Sequence, residues 1–201
     1  MVDTARHRLT DKAQHVLLHG QNDALAVLSL LIDNTSHGLV LVPHEHHEVH
    51  EGAAFRYNDA ITLGAAATQD YLLTVANTPS WPHFQFSVDG TAITTIEVFR
   101  GTDKTGTTLQ ATFNANENSA NTAGMTIHKS TSGGTTDGTL IFRYSSGTAT
   151  GGAKSSGIDT YSAERILKQN TKYIIRVTSG TAGNLCNIRC EWYEHTSMTT
   201  G

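Results

Sequence analysis

One feature constrains this chain more than any other. Short apolar runs recur along it, each closed by a cluster of Gly, Asn, Asp, Ser or Thr. Residues 71–75 run apolar into the turn signal Asn77-Thr78-Pro79-Ser80. Phe84-Gln85-Phe86-Ser87-Val88 alternates strictly and stops at Asp89-Gly90, a strong hairpin signal. Further runs follow at 93–99, 109–113, 140–144, 163–167, 173–177 and 185–193. A period of two sends successive side chains to opposite faces, so these runs read as strands with one face buried. About nine or ten short strands separated by turns is the arithmetic of a sandwich or jelly roll. The predicted fold is all-β: an antiparallel β-sandwich, jelly-roll-like, with an N-terminal arm or short helix.

The expected organisation is an arm or extension over 1–37 and the β-sandwich over 38–201. Within the arm, Asp23-Ala24-Leu25-Ala26-Val27-Leu28-Ser29-Leu30-Leu31 fits two turns of helix capped by Asn22 or Asp23, or a buried strand. Leu28, Leu30 and Leu31 are candidate contacts with a neighbouring subunit or a larger shell. Residues 48–57 alternate loosely and read as strand. Residues 114–138 are polar, with Met125 and Ile127 as their large apolar side chains. They read as a long excursion from the fold. Residues 145–157 read as a second polar loop.

Composition excludes several classes. Charged residues make up 16% and the formal net charge is -4, which fits neither a highly charged disordered chain nor a general nucleic-acid binder. No apolar run approaches the roughly 18 residues of a membrane span. The first eight residues lack the apolar core of a signal peptide, so a protein that stays where it is made is expected. Cys186 and Cys190 are the two cysteines. On one strand they lie about 13 Å apart, at roughly 3.3 Å per residue. A disulfide needs less than about 7 Å, so two reduced, partly buried thiols are expected.

The loudest local feature is His44-Glu45-His46-His47-Glu48-Val49-His50-Glu51, four histidines and three glutamates in eight residues. On a strand, His44, His46, Glu48 and His50 share one face, and two such histidines can ligate one ion. Gly38, His44, His46 and Glu51 resemble the first half of the cupin metal motif, which makes His44, His46, His50 and Glu51 candidate ligands. The second half is missing: Asn58 stands where that motif has a Gly, and the late histidines His83, His128 and His195 lack its setting. The preferred reading is a polar contact face built from His44, His46, His47, Glu48 and His50, with no metal and no cofactor.

Catalytic templates fare no better. There is no Gly-x-Ser-x-Gly elbow. Gly151-Gly152-Ala153-Lys154-Ser155 carries Ala153 where a phosphate loop needs Gly, and reads as a turn. Glu191 and Glu194 are three apart, on opposite faces of a strand, and do not form an acid/base pair. No enzyme is expected. Trp81 and Trp192 suit packing at a core or corner, and are kept as candidate subunit or shell contacts.

Five words of the sequence carry a resemblance. Glu45-His46-His47-Glu48-Val49-His50-Glu51-Gly52, Asn77-Thr78-Pro79-Ser80-Trp81-Pro82-His83-Phe84-Gln85-Phe86, Glu97-Val98-Phe99-Arg100-Gly101, Leu167-Lys168-Gln169-Asn170-Thr171-Lys172-Tyr173 and Glu191-Trp192-Tyr193-Glu194-His195-Thr196 are similar, in this order, to segments of tailed-bacteriophage virion proteins. They span about residues 45–196. The resemblance implies a structural virion protein, a capsid decoration or cement protein on the head surface, assembled in the host bacterial cytoplasm. It implies self-association as a homotrimer and the major capsid protein as partner, with no nucleic acid and no membrane. The alternatives are a head or tail fibre module gripping host-surface glycans, and a cupin-like metal-binding protein.

Overall fold

The computed structural model describes residues 15–19, 25–29, 31–32, 39–40, 44–147 and 164–196, with side chains over 46–147 and 164–195. The chain divides into two units, Met1–His44 and Glu45–Gly201. In the first, β1 (His15–His19) pairs antiparallel with β2 (Leu25–Ser29), and β3 (Leu31–Ile32) with β4 (Leu39–Val40). Of the two forms expected there, Leu25–Ser29 adopts the strand. Leu30 lies outside the described residues, and Leu28 and Leu31 are described by their backbone pairing alone.

The second unit opens with the helix α1 (His44–Glu51). Its strands are β5 (Ala54–Leu63), β6 (Thr68–Val75), β7 (Ser80–Gly90), β8 (Thr94–Arg100), β9 (Thr105–Leu109), β10 (Phe113–Asn114), β11 (Thr126–Ser132), β12 (Thr139–Ser146), β13 (Arg165–Ile166), β14 (Thr171–Ser179) and β15 (Asn184–Thr196). They form a five-stranded sheet, β10-β5-β15-β7-β13, and a six-stranded sheet, β12-β8-β14-β6-β11-β9. Every neighbouring pair is antiparallel. Successive strands alternate between the sheets except from β8 to β9 and from β11 to β12, and the result is the antiparallel β-sandwich predicted. The excursion over 114–138 contributes a strand, β11, inserted between β6 and β9. No described helix is long and apolar enough to cross a membrane.

The hairpin expected at Asp89-Gly90 is an arch instead. β7 and β8 lie in different sheets, so the chain crosses the sandwich there. Gly90 is present for close approach: a Cβ would sit 2.0 Å from Thr94 Oγ1. The neighbouring arch between β14 and β15 is locked to this one by Asn184, which is 1% exposed. Its Oδ1 accepts from Ala92 N and Thr91 Oγ1, and its Nδ2 donates to Ile93 O and Thr94 Oγ1. Both donors and both lone pairs of the amide are used, so its burial leaves no polar group unsatisfied.

Strand alternation builds the core between the sheets. Phe84, Phe86 and Val88 of β7 and Cys186, Ile188, Cys190 and Trp192 of β15 point inward from one side. Tyr71, Leu73 and Val75 of β6, Ile96 and Val98 of β8, and Tyr173, Ile175 and Val177 of β14 meet them from the other. Phe55 and Phe84 flank Trp192, with ring centroids 5.8 and 6.5 Å away. Both cysteines are free and buried, as the spacing predicted. Burial pushes both thiols up from their ordinary range, most strongly at Cys190.

The outer face of the six-stranded sheet carries a charged network. Arg176 makes a bidentate pair with Asp70, at 2.7 and 2.9 Å, and also bonds Asp137 at 2.8 Å. Lys104 contacts the same Asp137, and Lys172 Nζ donates to Lys104 O. Asp103 accepts from the backbone N–H groups of Thr135 and Thr136, which ties 101–104 to 133–138. Arg176 and Lys104 together hold the Asp137 carboxyl down at about 2.

Two predictions follow from this packing. Asp137 titrates lower in the folded state than the roughly 3.9 of an unfolded carboxyl, so its stabilising contribution is complete above about pH 4 and lost as pH falls toward 2. Urea midpoints should show Asp137→Asn less stable at neutral pH, with a smaller further loss across that acid window. Second, Cys186 and Cys190 should ignore a thiol reagent in the native protein and react once urea unfolds it. Rapid native labelling of Cys190 would contradict the packing.

Candidate functional site

The five words that carry the resemblance lie far apart in sequence and meet at one end of the sandwich. Antiparallel register places the start of β7 beside the end of β15, with Ser80 opposite Thr196 and His83 opposite Tyr193. The start of β5 is there too, Ala54 opposite Tyr193. Leu167 N donates to Pro82 O and Asn170 N to Ala76 O, which brings the turn between β13 and β14 to the same end. Gln169 Nε2 reaches the Thr78 carbonyl. Gly101 N donates to Lys172 O, and Glu194 N to Ala53 O just after α1.

The histidine-rich segment is a helix, not the strand its alternation suggested. That overturns the shared face assigned to His44, His46, Glu48 and His50: side chains two apart align on a strand, whereas a helix aligns those three and four apart. The pairs formed are His46 with His50 and His47 with Glu51. Nε2 of His46 and Nε2 of His50 are 2.9 Å apart, and His47 Nε2 is 3.3 Å from Glu51 Oε1. The cupin-like His-x-His geometry through His44 and His46 is lost with the strand.

The helix ends in a Schellman motif. Gly52 N bonds Val49 O and Ala53 N bonds Glu48 O, both at 3.0 Å, with Gly52 at φ +70°. Its last carbonyls are met by asparagines from the polar excursion. Asn116 Nδ2 donates to His50 O, Asn121 Nδ2 to Glu51 O, and Asn114 Nδ2 to Gly52 O. A helix end leaves such carbonyls without intrahelical partners, so this asparagine-rich stretch has a defined task. A Cβ on Gly52 would lie 2.1 Å from Ser119 Oγ, so side chains are excluded by space as well as by φ.

Glu194 holds the centre of this end. Its carboxylate accepts from Gly124 N at 2.8 Å, Met125 N at 2.9 Å and Trp192 Nε1 at 2.9 Å. One side chain thus anchors the excursion leading into β11 and satisfies the indole N–H of a core tryptophan. Glu191 projects from the opposite face, 3.6 Å from Arg56 and 3.2 Å from Arg189. The parity that separated the two glutamates is therefore observed.

The candidate contact residues divide by burial. Trp192 is 3% exposed, so its side chain belongs to the core and offers no surface to a partner. Trp81 is 39% exposed. Glu48 is buried, while His46, His47 and His50 are exposed. His44 lies in the helix backbone but its side chain is outside the described set. Sequence reasoning missed a stacked cluster beside Trp81: His83 against Tyr193 at 4.6 Å, and His195 against His83 at 4.4 Å. Glu164 bonds His83 Nδ1 and accepts from Tyr193 Oη. The outward parity of residues 83, 193 and 195 was legible, but their meeting rests on the pairing of β7 with β15.

A cleft lined by Val49, Phe55, His83, Trp192 and Tyr193 holds about 130 Å³. Ligand pockets usually hold about 300–1,000 Å³, so this cleft is undersized for most small-molecule substrates. His47, Glu48 and Glu51 place ligand atoms within 4.8 Å of one another. Compared with protein-family models, curated proteins and solved structures, the chain matches none.

Replacing Glu194 by Ala leaves the two amides and the indole N–H without their acceptor. The expected loss is about 2–3 kcal/mol, with Glu194→Gln losing less because one oxygen can still accept. Urea unfolding measures it, and a change within about 0.5 kcal/mol would mean that the anchor is dispensable.

Proposed function

We propose that this chain is a structural protein of a tailed-bacteriophage virion, a decoration or cement protein on the capsid surface. The observation that carries the reading is the gathering of all five resembling words at one end of the sandwich. Words of a resemblance that are scattered by chance have no reason to share a hydrogen-bonded end. A stiff antiparallel scaffold also suits the role, because a cement protein needs shape and fixed contacts more than a reaction centre.

In this reading the end carrying α1 and Trp81 meets the major capsid protein or a second copy of the chain, in a homotrimer assembled in the bacterial cytoplasm. His46, His47, His50 and Trp81 are the exposed side chains offered there. The N-terminal strands supply further backbone groups for pairing across a junction.

Mass spectrometry and cryo-imaging of particles that carry the chain test this. The expected result is a copy number in fixed proportion to the major capsid protein, with density on the outer head surface. A few copies per particle, confined to the tail, would sink the proposal and favour a fibre module.

A further inference from the structure

We infer that His46 and His50 form a chelating site for a first-row divalent cation that accepts cis nitrogen ligands, of the Ni²⁺ or Cu²⁺ type. The inference does not rest on the virion reading. The two histidines are one helical turn apart in α1, on the same side of the helix, and both are exposed. Their Nε2 atoms face each other at 2.9 Å, with ring centroids 4.5 Å apart and planes at 79°.

The separation selects the ion. Metal–imidazole bonds are about 2.0–2.1 Å, so two ligands at a right angle sit about 2.9 Å apart, whereas a tetrahedral angle spreads them to about 3.3 Å. The observed spacing therefore matches the cis positions of a square-planar or octahedral ion. Binding breaks the hydrogen bond between the rings and turns both Nε2 atoms toward the shared ion. The ring that donates in that bond moves its proton from Nε2 to Nδ1, so both Nε2 lone pairs become available and no proton is released.

The surroundings favour a cation. His50 lies in the last turn of α1, where the aligned peptide dipoles present their negative end. The Schellman turn and the asparagine contacts hold the backbone at the C-terminal end of the helix, so the two histidines stay one turn apart without an ion. A chelate formed without ordering a loop avoids an entropic cost. The remaining coordination positions face solvent and are filled by water or by a donor from another molecule. The neighbouring His47 and Glu51 pair with each other and form a separate candidate group with Glu48.

The test titrates the full, tag-free chain with NiCl₂ by calorimetry. The readout is the difference between variants, which separates this pair from the other histidines of the chain. Wild type should show a site that weakens at least tenfold in His46→Ala and again in His50→Ala, but persists in His47→Ala. Circular dichroism and the thermal midpoint verify that each variant is folded, and His46→Gln and His50→Gln repeat the test should an alanine variant not fold. Nickel should also raise the thermal midpoint of wild type more than that of His46→Ala. Identical isotherms for wild type, His46→Ala and His50→Ala overturn the inference. So does loss in His47→Ala with retention in the other two, which would move the ion to His47 and Glu51.

Discussion

The structure depends on the pairing of its last strand. β15 lies in the five-stranded sheet between β5 and β7 and is bonded along its length on both sides. β14 occupies the equivalent place in the other sheet, between β6 and β8. The centres of both sheets are therefore supplied by the final strands of the fold, after the outer strands have been laid down. Until they enter, β5 and β7 have no common partner, and β6 and β8 have none either. Non-local pairing of this kind defers the reward for loop closure to a late stage. Asn184, the first residue of β15, ties the arch between these two strands to the one between β7 and β8.

The candidate site inherits this order. Trp192 fills the core from β15, and two residues later Glu194 collects the backbone of the polar excursion. His83 and Tyr193 stack because β7 and β15 are neighbours in register. The histidine helix is fastened by asparagines brought in by the same excursion. A surface assembled from five distant words is rigid only when the central strand is in place. That coupling suits the role proposed for the chain.

Much of the sandwich was legible because strand parity is a strong signal. Phe84, Phe86 and Val88 announced an inward face, the same rule separated Glu191 from Glu194, and the rise along a strand kept the two cysteines unpaired. The misreadings have local causes. α1 has a single large apolar residue, Val49, in eight, so no helical stripe competes with the alternation of His and Glu. Its stop signal, Gly52, was present, but only the Schellman geometry and the crowding by Ser119 give it meaning. Asp89-Gly90 has the chemistry of a hairpin, yet a dipeptide carries no information about which sheet the next strand joins. β9 and β11 were hidden because most of their side chains are polar and half-exposed, leaving Ile127 as the buried side chain of that pair. The stacked histidine cluster needed the pairing of β7 with β15, a contact across more than a hundred residues.

The direct test of this account is native-state hydrogen exchange along β15. If the last strand closes the sandwich, the amides of Cys186, Ile188, Cys190 and Trp192 exchange only through global unfolding, and their protection falls with urea as steeply as the whole-molecule transition. The edge strands β9 and β12 exchange faster, through local opening. Exchange of the β15 amides at the rate of those edges, independent of urea, would contradict the account.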